Sequence, residues 1–330
     1  MSKIEIFFTN IWYNNSFFSY LFLPLSFIYA LITYVRRNLF KVGVLKSYKC
    51  IKPVVVVGNI SVGGNGKTPV VIAIVKYLQS KSLKVGVVSR GYKATPPCLP
   101  YEVSNNSTSN LCGDEPLLIF KKTNAYVVVD PIRSRACKYL EDKVDVIITD
   151  DGLQHYALNR DIEIVVVDGK RRYGNGFYMP AGPLREGLSR LKNVDFIINN
   201  GGPVTGNEFL MMLEPSEPYT LTKTNDITLN KGCSVCAMAG IGDPSRFYNT
   251  VESLGYKVDS VISIGDHGLT SIEDVKDKSN KQPLFITEKD MVKYEFSDCR
   301  NVYAVGIEAN ISGEFLEKLY NSVMDLQQSK

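Results

Sequence analysis

Val54-Val-Val-Val-Gly58-Asn-Ile-Ser61-Val-Gly-Gly-Asn-Gly-Lys67-Thr68-Pro69 is the stretch that decides the fold of this 330-residue chain. Four valines ending at a glycine suit a strand buried on both faces, as in a parallel sheet. Glycines at 63, 64 and 66 let the following backbone curl so that successive N–H groups face one anion. The helix that opens next turns its positive N-terminal end to the same point. In such a loop Ser61, Val62, Gly63, Gly64, Asn65 and Gly66 surround the phosphates of a nucleoside triphosphate, here expected to be ATP. Lys67 reaches the β- and γ-phosphates, and Thr68 serves Mg²⁺. Ser61 stands where the general pattern has its first glycine. A chance glycine-rich turn is the alternative, but the strand before and the helix after argue against it.

Working outward, apolar runs recur at Val85–Val88, Tyr126–Val129, Val144–Ile148, Ile162–Val167 and Phe196–Ile198. Helix-like stretches such as Pro69–Ser80 and Arg133–Glu141 separate several of them. This alternation predicts an α/β fold, a P-loop NTPase-like doubly wound parallel sheet. Pro203–Lys231 loses the pattern and reads as a connection to a second, smaller α/β domain with strands near Val235–Ala239, Val258–Ile264 and Leu284–Ile286. The expected division is 1–50 as a membrane-associating helix and basic collar, 51–225 as the P-loop kinase domain, and 226–330 as the second α/β domain, closing over the site.

An apolar fraction of 45% and a charged fraction of 22% belong to a folded globular protein. A net charge of +4 is too mild to imply nucleic-acid binding. Seven scattered cysteines argue for reduced thiols rather than a disulfide framework. Cys233-Ser-Val-Cys236 lacks a second pair at zinc-ligand spacing, so buried strand cysteines are the better reading.

Between Ile6 and Val35 no residue carries a charge, and Phe17–Val35 is about as long as a bilayer-spanning helix. A cleaved signal peptide is disfavoured, since no small-x-small cleavage site is present. A transmembrane helix would have to accommodate Pro24 near its middle and the polar Asn14, Asn15, Ser16, Ser19 and Ser26. A helix lying in the membrane interface would place Trp12, Tyr13, Tyr20, Tyr29 and Tyr34 at headgroup level. A buried core helix remains the third alternative. Arg36, Arg37, Lys41, Lys46, Lys49 and Lys52 follow with no acidic residue among them. Anionic headgroups attract such a cluster by about 1 kcal/mol per residue near the surface. The same cluster puts the downstream chain in the cytoplasm, held against the inner leaflet.

Val146-Ile-Ile-Thr-Asp150-Asp151 is a strand ending in paired carboxylates, which repel unless a cation or proton sits between them. Mg²⁺ binding accounts for the pair better than helix capping does. The two histidines, His155 and His267, both fall in Gly- and Asp-bearing loops at strand ends, where sites of open α/β sheets form. Gly113-Asp114-Glu115-Pro116 is a tight acidic loop and a candidate base for a hydroxyl proton. Met179-Pro-Ala-Gly-Pro-Leu-Arg185-Glu186 ends in an Arg–Glu pair. Its arginine could stabilise transferring phosphoryl charge, hold a phosphate on the acceptor, or simply form a loop salt bridge.

Taken together and in order, these pieces resemble the tetraacyldisaccharide 4′-kinase family, the lipid A kinases of Gram-negative bacteria. The resemblance runs through Gly58–Pro69, Ser89-Arg-Gly-Tyr92, Gly113–Pro116, Asp150-Asp-Gly-Leu-Gln-His155, Pro180–Glu186, Ala237–Phe247, Asp266-His267 and Thr287-Glu-Lys-Asp290, nearly the whole chain. Ser61 is that family's own form of the loop. Leu153 stands where the family has an aromatic, and Gly268 where a second histidine or a tyrosine is common. The resemblance implies transfer of the γ-phosphoryl group of ATP to the 4′-hydroxyl of a membrane-embedded tetraacylated glucosamine disaccharide 1-phosphate, a step of lipid A biosynthesis. It implies work at the cytoplasmic face of the bacterial inner membrane, with that acylated disaccharide lipid and the anionic membrane surface as partners and no obligate protein partner. It also implies that Asp114 paired with His267 is the base, that Thr68, Asp150 and Asp151 serve Mg²⁺, and that Arg185, Glu186 and Lys67 lie at the active centre. A membrane-tethered P-loop ATPase switch without a lipid acceptor is the alternative. It leaves the Arg185–Glu186 loop unexplained, and no Asn-Lys-x-Asp guanine-reading motif is present.

Overall fold

Short valine-rich runs bounded by glycine and aspartate are too apolar for a solvated edge, so they stack as the inner strands of one sheet. The computed structural model describes residues 3–14, 16–223, 225–264 and 270–329. Its first strands are β1 (Val54–Gly58), β2 (Val85–Ser89), β3 (Tyr101–Glu102), β4 (Tyr126–Val129) and β5 (Val146–Asp150). They continue with β6 (Ile162–Asp168), β7 (Phe196–Asn200), β8 (Glu208–Pro215) and β9 (Tyr219–Thr220). The last are β10 (Ser234–Ala239), β11 (Lys257–Ser263), β12 (Leu284–Thr287), β13 (Val302–Val305) and β14 (Ile307–Ile311). The helices are α1 (Lys3–Tyr13), α2 (Phe18–Leu21), α3 (Leu23–Lys41), α4 (Lys67–Ser80), α5 (Ser109–Cys112) and α6 (Asp114–Thr123). After them come α7 (Arg133–Leu140), α8 (Pro244–Ser253), α9 (Ile272–Lys281), α10 (Glu288–Met291) and α11 (Gly313–Ser329).

A nine-stranded sheet runs β14-β8-β7-β6-β1-β5-β2-β4-β3. Every pair from β8 to β4 is parallel, and β14 and β3 add antiparallel edges. Helices cover both faces. Val70, Ile74 and Leu78 of α4, Leu117 and Ile119 of α6, and Phe315 and Leu319 of α11 share a core with Val55 and Val57. On the other face Ala136, Cys137 and Leu140 of α7 join Leu153 and Leu158 against Val54 and Val56. The chain goes from β1 outward to β2 and β4, returns to β5, then crosses to β6, so connections diverge on either side of β1. At such a switch point a crevice opens beyond the carboxyl ends of the strands.

The second sheet, β11-β10-β12-β13-β9, is parallel except for its β9 edge. Cys233 and Cys236 are unbridged thiols, and Cys236 is buried inside β10, in keeping with the strand reading.

The expected boundary at 226 differs from the observed sheets at both ends. β9, at 219–220, already pairs with β13. The chain then returns: β14 pairs with β8, and α11 packs its Phe315 ring 5.2 Å from Phe196 and 5.5 Å from Phe209. Residues 307–329 therefore complete the nine-stranded sheet rather than the smaller one. Phe315→Ala should destabilise the protein by about 3–5 kcal/mol, the cost of emptying a fully buried aromatic site. Denaturant unfolding checks this; a loss under about 1 kcal/mol would place α11 outside the main core.

The uncharged N-terminal run is not one helix. Pro24 sits in the first turn of α3, where its missing N–H costs nothing, so it starts a helix instead of kinking one. Among the described residues no helix is long and apolar enough to cross a membrane. The run nevertheless exposes Phe17, Phe18, Leu21, Leu25, Phe27, Ile28, Leu31, Ile32 and Tyr34.

Candidate active site

The loop after β1 lies at the switch point. Gly66 has φ +89°, and a Cβ there would come within 2.7 Å of Asn200 Nδ2, so glycine is required. Asn200 Nδ2 donates to Asn65 O at 3.1 Å, and Asn65 Nδ2 donates to Ser61 Oγ at 3.1 Å. This gives Ser61 a physical role. With glycine in its place, the buried Asn65 amide would keep only Val166 O, at 3.4 Å. Ser61 to Gly66 thus form a braced curl, and Lys67 and Thr68 open α4 directly behind it.

Lys67 Nζ lies 3.6 Å from Asp151 Oδ1, and Arg185 Nη1 lies 3.2 Å from Asp151 Oδ2. Burial pushes the Asp151 carboxyl up, but Lys67 and then Arg185 outweigh it and hold the group below its ordinary range. The adjacent Asp150 differs. It is buried, its Oδ1 has no hydrogen-bond partner among the described residues, and its backbone carbonyl accepts from Arg133 Nη2 at 2.7 Å. Burial, followed by the Glu115 charge, pushes its carboxyl up to about 7. The paired aspartates therefore divide into one ionised, cation-paired group and one that gives up its proton only as neutrality is approached.

That division has a consequence for stability. Native Asp150 keeps a proton that an unfolded aspartate, near 3.8, has released. The native state thus binds more protons between about pH 4 and about pH 7, and stability falls as pH rises through that window. Asp150→Asn should remove this part of the slope. Thermal midpoints of nucleotide-free protein at about pH 5 and about pH 7 check it, and equal slopes in both proteins would contradict it.

Among the described residues no group of three His, Cys, Asp or Glu side chains could hold a metal alone. Mg²⁺ does not require one, since it keeps waters and binds through one or two carboxylates plus substrate phosphates. The unpartnered Asp150 Oδ1 at the end of β5, next to the strand that leads to the buried Thr68, fits that donor set.

Asp114 and Glu115 open α6. Burial pushes Glu115 up, but Lys289 and then Lys67 prevail and hold it below its ordinary range. Glu115 accepts from Lys289 Nζ at 2.8 Å, and Lys122 pairs with Glu288, so α6 is tied to α10 beyond β12. His267 lies outside the described residues, and the expected Asp114–His267 pair lies there with it. His155 is described. Burial, then Arg133, Arg160, Arg36 and Arg90, push its imidazole down to about 4, so it is neutral at physiological pH.

The 179–186 loop runs against the phosphate loop. Val62 N donates to Pro183 O at 2.8 Å, and Arg185 N donates to Ile60 O at 2.7 Å. Arg185 thus reaches Asp151 beside Lys67, whereas Glu186 is buried and accepts from Gln154 Nε2 at 2.7 Å and Tyr156 OH at 2.5 Å. Arg190 Nε lies 3.2 Å from the same carboxylate. Pro180 of this loop and Tyr178 just before it carry the N-terminal helices: Trp12 Nε1 donates to Pro180 O at 2.8 Å and Ser26 Oγ to Tyr178 O at 2.5 Å.

Sequence reading passed over two arginines. Arg171 Nη2 donates to Gly64 O at 3.1 Å and its Nε to Asp168 Oδ2 at 2.8 Å, which places a guanidinium over the tip of the phosphate loop. The basic run Lys170-Arg171-Arg172 just beyond β6 was the available signal. Arg133, buried behind Asp150, had none beyond its place in a helix.

Comparison with known proteins shows the family. The family model for tetraacyldisaccharide-1-P 4′-kinase matches residues 18–324. The tetraacyldisaccharide 4′-kinase of Aliivibrio fischeri is 43% identical over 326 residues, 96% of this chain and 99% of its own. That of Shewanella frigidimarina is 45% identical over 97% of this chain and 96% of its own. Among solved structures, LpxK from Aquifex aeolicus in complex with ATP is 29% identical with a TM-score of 0.77, covering 94% of this chain and 99% of its own. By the family model, which spans most of its length, and by these relatives, the chain belongs to the tetraacyldisaccharide-1-P 4′-kinase family.

Proposed function

We propose that this protein transfers the γ-phosphoryl group of ATP to the 4′-hydroxyl of a tetraacylated glucosamine disaccharide 1-phosphate at the cytoplasmic face of the bacterial inner membrane. One observation carries the reading. The 178–186 segment braces the phosphate loop through Val62 and Arg185 and, through Pro180 and Tyr178, also holds the helices whose outer face is apolar. A lipid lying against those helices would present its sugar beside Lys67, and such an acceptor must be met at a membrane surface because its acyl chains stay there.

In this reading the Ser61–Thr68 loop binds the phosphates, with Lys67 and Arg185 moving their charge from Asp151 to the transferring group. Thr68, Asp150 and Asp151 would hold Mg²⁺, which when bound offsets phosphate charge. Asp114, with His267, accepts the hydroxyl proton as the oxygen attacks phosphorus and the bond to ADP breaks. Glu186 positions Gln154 and Tyr156 at the active centre. The smaller sheet acts as a second domain that closes over the site and excludes water, which limits wasteful hydrolysis.

Labelled phosphate should pass from ATP to the lipid in detergent micelles; phosphate release alone, stimulated by a protein partner, would favour a switch. The attachment is testable separately. Phe27→Asp with Ile32→Asp places charges on the exposed face of α3, where each apolar side chain contributes about 1.5–3 kcal/mol when buried. The double variant should shift from the membrane to the soluble fraction with nucleotide affinity unchanged. Unaltered membrane recovery would remove α3 as the anchor.

A further inference from the structure

The parallel strands of the smaller sheet end beside α6, and one buried charge there has two partners on different elements. Asp290, fully buried in α10, accepts from Gly240 N at 2.9 Å and Thr287 Oγ1 at 2.6 Å through Oδ2. Its Oδ1 accepts from Lys293 Nζ at 2.8 Å. The Lys293 side chain is only 3% exposed, and its ammonium lies 3.9 Å from Asp114 Oδ2, at the start of α6. A Cβ on Gly240 would come within 3.1 Å of Lys293 Nζ and 2.6 Å of Asp290 Oδ1, so the glycine just after β10 makes room for the pair. A buried ammonium must be compensated, and with three donors it can serve two carboxylates at once.

We propose that Lys293 is a positioning residue for phosphoryl transfer: anchored by Asp290 in the smaller sheet, it fixes the Asp114 carboxylate toward the acceptor hydroxyl. This rests on the reading of Asp114 as the base. Lys293 neither gains nor loses a proton; the hydroxyl proton passes to Asp114. Thr287-Glu-Lys-Asp290 thereby acquires a purpose, since it builds the buried seat from which Lys293 reaches across. Completion of the base then depends on the smaller sheet being docked on α6, a dependence that Lys289–Glu115 and Lys122–Glu288 reinforce.

A double-mutant cycle on the full chain, with ATP and lipid acceptor in micelles, tests this. Lys293→Met should lower kcat roughly 10–100-fold, the scale of a misplaced catalytic group, with KM for ATP within about twofold. Lys293→Arg should restore most of that loss, and Lys293→Met added to Asp114→Asn should cost nothing more. An unchanged kcat in Lys293→Met, or a further loss in the Asp114→Asn background, overturns the proposal. If Lys293→Met leaves Asp290 unpaired and does not fold, Asp290→Asn with Lys293→Met removes both charges together and takes its place in the cycle. An Asp114→Asn enzyme with full kcat would instead overturn the base assignment, and the route through Asp114 with it.

Discussion

Lys67→Ala is expected to lower phosphate transfer from ATP to the lipid by about 10²–10³-fold or more, the scale of losing one preorganised charge at a transition state. Lys67 opens α4 behind the braced curl and lies 3.6 Å from Asp151, so its ammonium stands where the triphosphate would lie. Without it Asp151 keeps Arg185 but loses the cation that most opposes its burial, and Asp150 loses the Lys67 charge that opposes its burial. Neither change empties the core, so the variant should fold, with an unfolding midpoint near that of the parent. Single-turnover transfer of labelled phosphate, with folding checked by thermal unfolding, gives the answer. Near-normal transfer would remove the phosphate loop from the reaction.

Asp114→Asn should lower kcat by about 10²–10⁴-fold, the range for a lost general base, while ATP affinity changes by less than about threefold. Two features argue for that split. Asp114 sits on α6, away from the Ser61–Thr68 curl, and its described ion pair is with Lys293 rather than with the phosphate-loop lysine. Asparagine keeps the size and one acceptor oxygen but cannot take a proton, so binding and proton transfer separate. Equal losses in nucleotide affinity and turnover would instead assign Asp114 to nucleotide binding.

Local chemistry made part of this site readable from the chain alone. Four valines, a glycine-rich curl and Lys67-Thr68 are contiguous, so β1, the loop and the start of α4 lie where expected. Asp150 ends β5, the strand paired with β1, because a buried run ending in aspartate has few other places in a parallel sheet. The loop bearing Arg185 meets Asp151, which sequence spacing could suggest but not demonstrate.

Most of what was not legible is non-local. Nothing in Ile307-Glu-Ala-Asn-Ile311 says that it pairs with Glu208–Pro215, roughly a hundred residues earlier, rather than extending the smaller sheet beside β13. The resemblance marked Ser61 as the family's form of the loop but gave no reason for it; Asn65 donating to its hydroxyl supplies one. Pro24 read as a break in one long helix and proved to begin another. Lys293 has a local partner in Asp290, three residues before it, but its pairing with Asp114 on α6, far earlier in the chain, left no local signal.

In the proposed reaction one site joins ATP to a sugar hydroxyl of a membrane lipid. The most direct test is to incubate the full-length protein with γ-labelled ATP and the tetraacylated disaccharide 1-phosphate in micelles and to map the label by fragmentation of the product. The expected product carries one new phosphomonoester per lipid, on the 4′-oxygen, formed only when both substrates are present. Label recovered only as inorganic phosphate, at a rate indifferent to the lipid, would contradict it.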